Sequence, residues 1–431
     1  MLTHAHFPKL HPVLMPIIAL SLLLSAAGCA APKAAIAQSE LPRDTAPKPS
    51  ADAATALVAG NSAFAFDLYQ NLRAQPGNLF FSPYSLSAAL AMLYAGARGD
   101  TESQMAQTLH YSLSQADLHP AFNALDLNLN SAGSGAGAGS FTLKTASSLW
   151  GQQNFTFLPA FLDLLAKNYG AGLRLVDFIN AGPREQARLA INDWAKTATA
   201  GKIPELLSPG TLDDTARLVL ANAIYFQGKW VQPFDANSSP APFTRLDGST
   251  VSVPLMRRHS STPYAEGQGF QAVELPYQGG RVSLVVLLPA AGQFAAFEQG
   301  LTAGQAAAIV ASLKQQDVNL GLPRFKYETN LDLVKPLSAL GMPSAFDAAQ
   351  ADFSGATSQR NLVVSRVVQK AYVAVDETGT EAAAATAIVA GTTAMQQQPI
   401  TFVADRPFIY FIRDSQTGSI LFVGRVADPS K

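Results

Sequence analysis

One cysteine, Cys29, stands in 431 residues, which excludes a disulfide framework, a cysteine-based zinc site and a C-x-x-C redox pair. Histidine is scarce. His4, His6 and His11 precede the first apolar run, and His110, His119 and His259 contain no i,i+4 pair to set two ligands on one helix face. No metal or other cofactor is therefore expected. Charge is thin too: 14% of residues are charged, and 30 basic against 31 acidic side chains give a net charge of −1. With no basic excess and no basic run, nucleic acid is not an expected partner. There is no G-x-S-x-G elbow, no phosphate-cradling G-x-x-x-x-G-K-[ST] loop and no H-E-x-x-H pair. The alternating Gly133, Gly135, Gly137 and Gly139 do not fit G-x-G-x-x-G, and acid pairs such as Asp213-Asp214 and Asp376-Glu377 read as solvated turns or caps. No catalytic residue emerges, and an enzyme is not expected. What the chain does have is apolar residue, 48% of the total, enough to offset ordering entropy and to exclude a mainly disordered protein.

The N-terminus reads as an export signal. Lys9 precedes an apolar stretch from Val13 to Leu24, followed by Ser25-Ala26-Ala27-Gly28-Cys29. The stretch falls short of the roughly 20 apolar residues that a transmembrane helix needs. Small residues directly before Cys29 resemble a bacterial lipobox, with Ala26 where that motif usually has Leu. Residues 1–28 are expected to be removed and Cys29 to carry the lipid; the alternative is an ordinary signal cut after Ala35-Ile36-Ala37. Residues 29–56, rich in Ala, Pro, Ser and Lys, show no apolar period and are expected to form a flexible tether reaching roughly 30 Å. The protein would then be exported and lipid-anchored at the cell envelope, at the outer membrane or cell surface. Secretion into the extracellular space is the alternative. Alanine rather than aspartate after Cys29 fits outer-membrane sorting if the cell is Gram-negative.

The body, 57–431, has no convincing linker and no fixed-period repeat. Its one low-complexity interruption, Ser131 to Ser140, reads as a surface loop. Apolar spacing predicts helices over 63–72, 85–96, 158–169 and 184–197, the second opened by Ser82-Pro83. Runs rich in Val, Ile, Phe and Tyr predict strands over 218–227, 282–288, 318–322, 363–375, 401–403, 408–413 and 419–426. Helices first and strands later, without a βαβ rhythm, predict the α+β class.

Some twenty residues after the 363–375 strand lack a strong pattern, and long loops of that kind in compact domains are usually functional. No proline occurs from Asp376 to Gln398, so nothing forbids this segment from joining a sheet. A period of two sets Thr380, Ala382, Ala384 and Thr386, all small, on one face and Glu381 on the other. By itself the segment also reads as a helical alanine stretch or a surface loop.

Glu377-x-Gly379-Thr380-Glu381-Ala382-Ala383-Ala384-Ala385-Thr386 resembles the reactive-loop hinge of inhibitory serpins. Asn78-Leu-Phe-Phe-Ser82-Pro83-Tyr-Ser85, Leu220-Ala-Asn222-Ala-Ile-Tyr-Phe-Gln-Gly228-Lys229-Trp230, Leu322-Pro323-Arg324-Phe325-Lys326 and Asp405-Arg406-Pro407-Phe408 follow in the family's order. The resemblance covers 57–429. It implies three β-sheets, eight or nine helices and an exposed reactive-centre loop, here about 377–398. It further implies a monomeric suicide inhibitor of serine, possibly cysteine, proteases, which traps an acyl-enzyme as its loop inserts into the central sheet. Counting Glu377 as the first of seventeen residues puts the cleaved bond between Thr393 and Ala394, with Met395-Gln396 as the alternative. Small or unbranched residues there suit elastase-, chymotrypsin- or subtilisin-like targets. The absence of Lys and Arg between Thr378 and Asp405 argues against trypsin-like ones. Shutter positions fall on Ser82, Ser85 and Asn222, with Gln369 where the family often has His, which implies an altered pH response. Glu377 is expected to pair with Arg324 at the top of the sheet, near Trp230. The alternative within the resemblance is a non-inhibitory carrier or chaperone, whose hinge would carry charged, bulky or proline residues.

Overall fold

The computed structural model describes residues 1–4, 34–133, 141–380 and 398–431. Its strands form two hydrogen-bonded networks. The first runs β1 (Ala35–Ala37), β4 (Leu173–Val176), β3 (Thr142–Gln152), β5 (Leu218–Lys229), β13 (Gly379–Thr380), β12 (Val364–Val375) and β11 (Phe325–Asp332). The second runs β14 (Ile400–Val403), β10 (Lys314–Pro323), β7 (Thr250–Gly267), β8 (Phe270–Pro276), β9 (Val282–Pro289), β15 (Phe408–Asp414), β16 (Ile420–Val426) and β2 (Leu79–Phe81), with β6 (Ser239–Thr244) on β7. The expected second and third sheets are continuous because β7 serves both: it pairs with β6 and β10 through Thr250–Tyr264 and with β8 at Tyr264–Gly267. Nine α-helices occur among the described residues, so the α+β class and the helix number are as expected.

The strand β5 reads as a nearly continuous apolar run because both its faces are covered. Leu220, Ile224 and Phe226 point into the main core, together with Val367, Ala371 and Val373 of β12. Val219, Ala221 and Ala223 pack on the opposite face with Val368, Trp150 and Ile191 of the helix Ala181–Ala198. Beneath the sheet lies the helix Pro83–Tyr94. Ser82 caps it by accepting a hydrogen bond from the Ser85 amide, and Pro83 occupies the first turn, where no amide is needed. The pair β5–β12 is parallel, with Asn222 opposite Gln369, and this seam runs down the middle of the sheet.

The tether expected over 29–56 is corrected from residue 34 onward. Ala35–Ala37 adds an antiparallel edge strand to β4, and Ser39 donates to Asp163 at 2.5 Å. Arg43 donates to Asn123 (2.8 Å) and to Asp126 (2.7 Å) on the helix Gln115–Gly133. The helix Ala51–Leu72 starts well before residue 57, capped by Ser50. Ala, Pro and Ser composition hid this because three strand residues carry no readable period, and their stability comes from the edge they cover. The low-complexity stretch begins later than expected: helix continues to Gly133, and 134–140 lie outside the described residues.

Candidate functional site

Four residues singled out in the sequence meet under the middle of the seam. The Gln369 side-chain amide donates to Asn222 Oδ1 (2.7 Å) and to the Ser82 carbonyl (3.0 Å), and its oxygen accepts from the Ser82 amide at 2.8 Å. Asn222 Nδ2 donates to Ser85 Oγ at 2.7 Å and to Ser147 Oγ at 2.8 Å. Ser82 Oγ donates to the Leu421 carbonyl at 2.7 Å, which ties the network to β16. All four residues are buried, so these partners are what make their polar groups tolerable there. Sequence reading missed Ser147, which reaches Asn222 only because β3 and β5 pair in that register.

At the head of the seam Arg324 and Glu377 meet as expected. Arg324 Nη2 lies 2.6 and 2.5 Å from the two Glu377 oxygens. Ser238 also donates to this carboxylate. Burial opposes ionisation of Glu377, but the hydrogen bonds from Ser238 and Arg324 outweigh it and hold the carboxyl below the ordinary glutamate value. Trp230 packs nearby, its indole Nε1 donating to the Asp376 carbonyl at 3.0 Å and its amide to Thr378 at 2.9 Å. Its ring stacks on Tyr277 with centroids 4.5 Å apart and planes 18° apart. Asp376 turns the chain: its carboxylate accepts from the Thr378 amide (2.8 Å), the Thr378 hydroxyl (2.7 Å) and the Gly379 amide (3.1 Å).

The turn sends Gly379 and Thr380 back into the sheet. These two residues form β13, pairing with Lys229 and Gly228 of β5 on one side, while Thr380 pairs with Val375 of β12 on the other. Both are buried, so the start of the hinge is not exposed as the resemblance implied. Gly379 is required here, since a Cβ would run into the Gly228 carbonyl oxygen. The Thr380 hydroxyl lies 2.7 Å from that of Tyr277, a residue that sequence reading did not single out. The remaining hinge positions Glu381, Ala382, Ala383, Ala384, Ala385 and Thr386 lie outside the described residues. So do both candidate bonds, Thr393-Ala394 and Met395-Gln396, and the lipidation candidate Cys29.

Among the described residues no group of three His, Cys, Asp or Glu side chains is placed to hold a metal ion. Nor is any described helix long and apolar enough to cross a membrane.

Residues 59–429 match the family described as "Serpin (serine protease inhibitor)". The leukocyte elastase inhibitor of Sus scrofa is 42% identical over 385 residues, spanning 86% of this chain and 99% of that protein. In structure, the thermophilic serpin tengpin in its native state superposes with a TM-score of 0.82 at 27% identity, covering 92% of this chain and 100% of its own. Human thyroxine-binding globulin in complex with its ligand superposes with a TM-score of 0.79 at 27% identity, covering 88% and 100%.

Proposed function

Because the chain belongs to the serpin family, we propose that it is a protease inhibitor that acts as a suicide substrate of serine, possibly cysteine, proteases. A target protease's nucleophile attacks the carbonyl of Thr393 or Met395. The peptide bond breaks, the new amino terminus at Ala394 or Gln396 leaves with a proton, and the loop stays bound as an acyl ester or thioester. The freed hinge then zips between β5 and β12, carrying the protease away before water resolves the ester.

One observation carries this reading: the first hinge residues, Gly379 and Thr380, already lie as a strand between β5 and β12. The next residues, Glu381 to Thr386, hold four alanines and no proline, so continued zipping forces no bulk into the packed faces below. Targets of elastase-, chymotrypsin- or subtilisin-like specificity fit the small or unbranched residues at both candidate bonds. We further propose export and lipid attachment at Cys29, with the protein held at the cell envelope. Detection of acylated Cys29 at the mature N-terminus by mass spectrometry tests this; an unmodified N-terminus after Ala37 refutes it.

The likeness to thyroxine-binding globulin gives the carrier reading a specific footing, and one experiment separates the two. The full chain is incubated with elastase, chymotrypsin, subtilisin and trypsin, resolved on denaturing gels, and the released C-terminal fragment is sequenced. A denaturant-resistant complex with any of the first three is the expected result, with Ala394 or Gln396 as the fragment's first residue. Clean loop cleavage by all of them, with neither a complex nor a gain in thermal stability, refutes inhibition and supports the carrier.

A further inference from the structure

Besides Ser238, the head of the seam holds a second group that the resemblance did not single out. Tyr277 follows the end of β8, where its amide bonds the Val282 carbonyl and neighbouring Gln278 bonds Lys229 at the end of β5. Its ring is clamped between Trp230, stacked at 4.5 Å, and Phe226, edge-on at 4.9 Å. The clamp leaves the phenol little freedom and directs its hydroxyl at Thr380, 2.7 Å away. Gly228 lets the ring approach the sheet, since a Cβ there would lie 2.7 Å from Tyr277 Cδ1. Thr380 and Tyr277 are both fully buried. A buried hydroxyl without a partner is costly, so each of these two groups depends on the other.

We propose that Tyr277 is a positioning residue for loop insertion: its hydroxyl holds Thr380 in the slot between β5 and β12, so the resting protein already has the first step of insertion made. This rests on the inhibitory reading for its consequence but not for its geometry. With Thr380 seated, the acylated loop begins zipping from a register already set by the pairs Thr380–Gly228 and Thr380–Val375. With Thr380 released, that register must first be found while water competes for the acyl bond. The hydroxyl pair therefore biases the partition toward trapping rather than turnover.

The test is a double-mutant cycle on the full chain. Tyr277→Phe keeps the ring and both aromatic contacts while removing the hydroxyl. Thr380→Val keeps the shape and removes the partner. Each single variant leaves one orphaned buried hydroxyl, and the double variant leaves none. Hydrogen exchange of the peptide spanning 376–380 reads hinge seating with no protease present. Each single variant is expected to lose protection there by about tenfold, and the double variant to regain most of it. Stoichiometry of inhibition is expected to follow the same pattern, rising in each single variant and falling back in the double. A purely packing role for Tyr277 predicts no rescue by the second substitution, and that outcome overturns the proposal, as does unchanged exchange in both single variants. Absence of any trapped complex from the unmodified chain would overturn the inhibitory reading and leave the exchange cycle to decide the seating role.

Discussion

The head and the middle of the seven-stranded sheet differ: at the middle β5 and β12 pair directly, whereas at the head Gly379 and Thr380 already lie between them, and the two regions are held by different chemistry. At the middle, Ser82, Ser85, Asn222 and Gln369 form a neutral network sealed from water. At the head, a charged pair joins Arg324, whose side chain is 50% exposed, to Glu377, whose side chain is 10% exposed. A sealed network of neutral amides and hydroxyls is satisfied only when every member is present, so it resists partial opening. A half-exposed ion pair is weakened by salt and solvent and can yield by degrees. Under the insertion mechanism proposed above, the sheet would open from the head downward.

The harshest way to break this comparison is to block the head. Thr380→Arg puts a charged side chain where a fully buried residue now sits, and burying an unpaired charge is prohibitive. Loss of all denaturant-resistant complex is expected, with the loop cleaved as a plain substrate; retained trapping on gels would refute the hinge assignment. A smaller effect is expected at the middle. Asn222→Ala orphans hydrogen-bonding groups on Ser85, Ser147 and Gln369, at a cost of about 2–4 kcal/mol. It should lower the urea midpoint of the uncleaved protein, and an unchanged midpoint would contradict the sealed-network picture.

The smallest effect concerns pH and sharpens the contrast. A carboxyl held below its unfolded pKa stabilises the fold above about pH 4.3 and loses that contribution as pH falls through its folded pKa. Glu377 is held low in this way, so its contribution should be constant at neutral pH and fade below about pH 4.3. With Arg324 half exposed, its size is at most about 1 kcal/mol. Thermal midpoints recorded from pH 7 to 3.5 should fall less steeply in Glu377→Gln than in the unmodified protein. The middle holds no group that titrates between pH 5 and 8, because Gln369 stands there. Gln369→His should introduce a loss of stability as pH drops through about 6.5. Parallel melting curves for that variant and the unmodified protein would refute the assignment of Gln369 to the sealed network.

Much of this architecture is legible in the amino-acid sequence. The strand read over 363–375 appears as Val364–Val375, because a run of β-branched residues buried on both faces needs no distant context to be recognised. Ser82, Ser85, Asn222 and Gln369, singled out by motif order, lie in one hydrogen-bonded network, and Arg324 meets Glu377 as expected. Other elements escaped. The strand β7 is 18 residues long, but it carries Arg257, Arg258 and His259 in succession, the first and third exposed and Arg258 buried against the Phe234 ring, and such polarity masks a strand. Ser147, Ser238 and Tyr277 gave no local signal, since their partners lie 75, 139 and 103 residues away.

Sequence alone determined the α+β class, the family, the run of small residues from Ala382 to Thr386 and the lack of Lys and Arg between Thr378 and Asp405, because composition, burial period and motif order are local properties of a chain. Tertiary structure decided that residues 35–37 extend the sheet, that Gly379 and Thr380 already lie inside it, and that Tyr277 meets Thr380. Those outcomes depend on which strands come together and in what register, and a buried hydroxyl finds its partner only after the strands have paired.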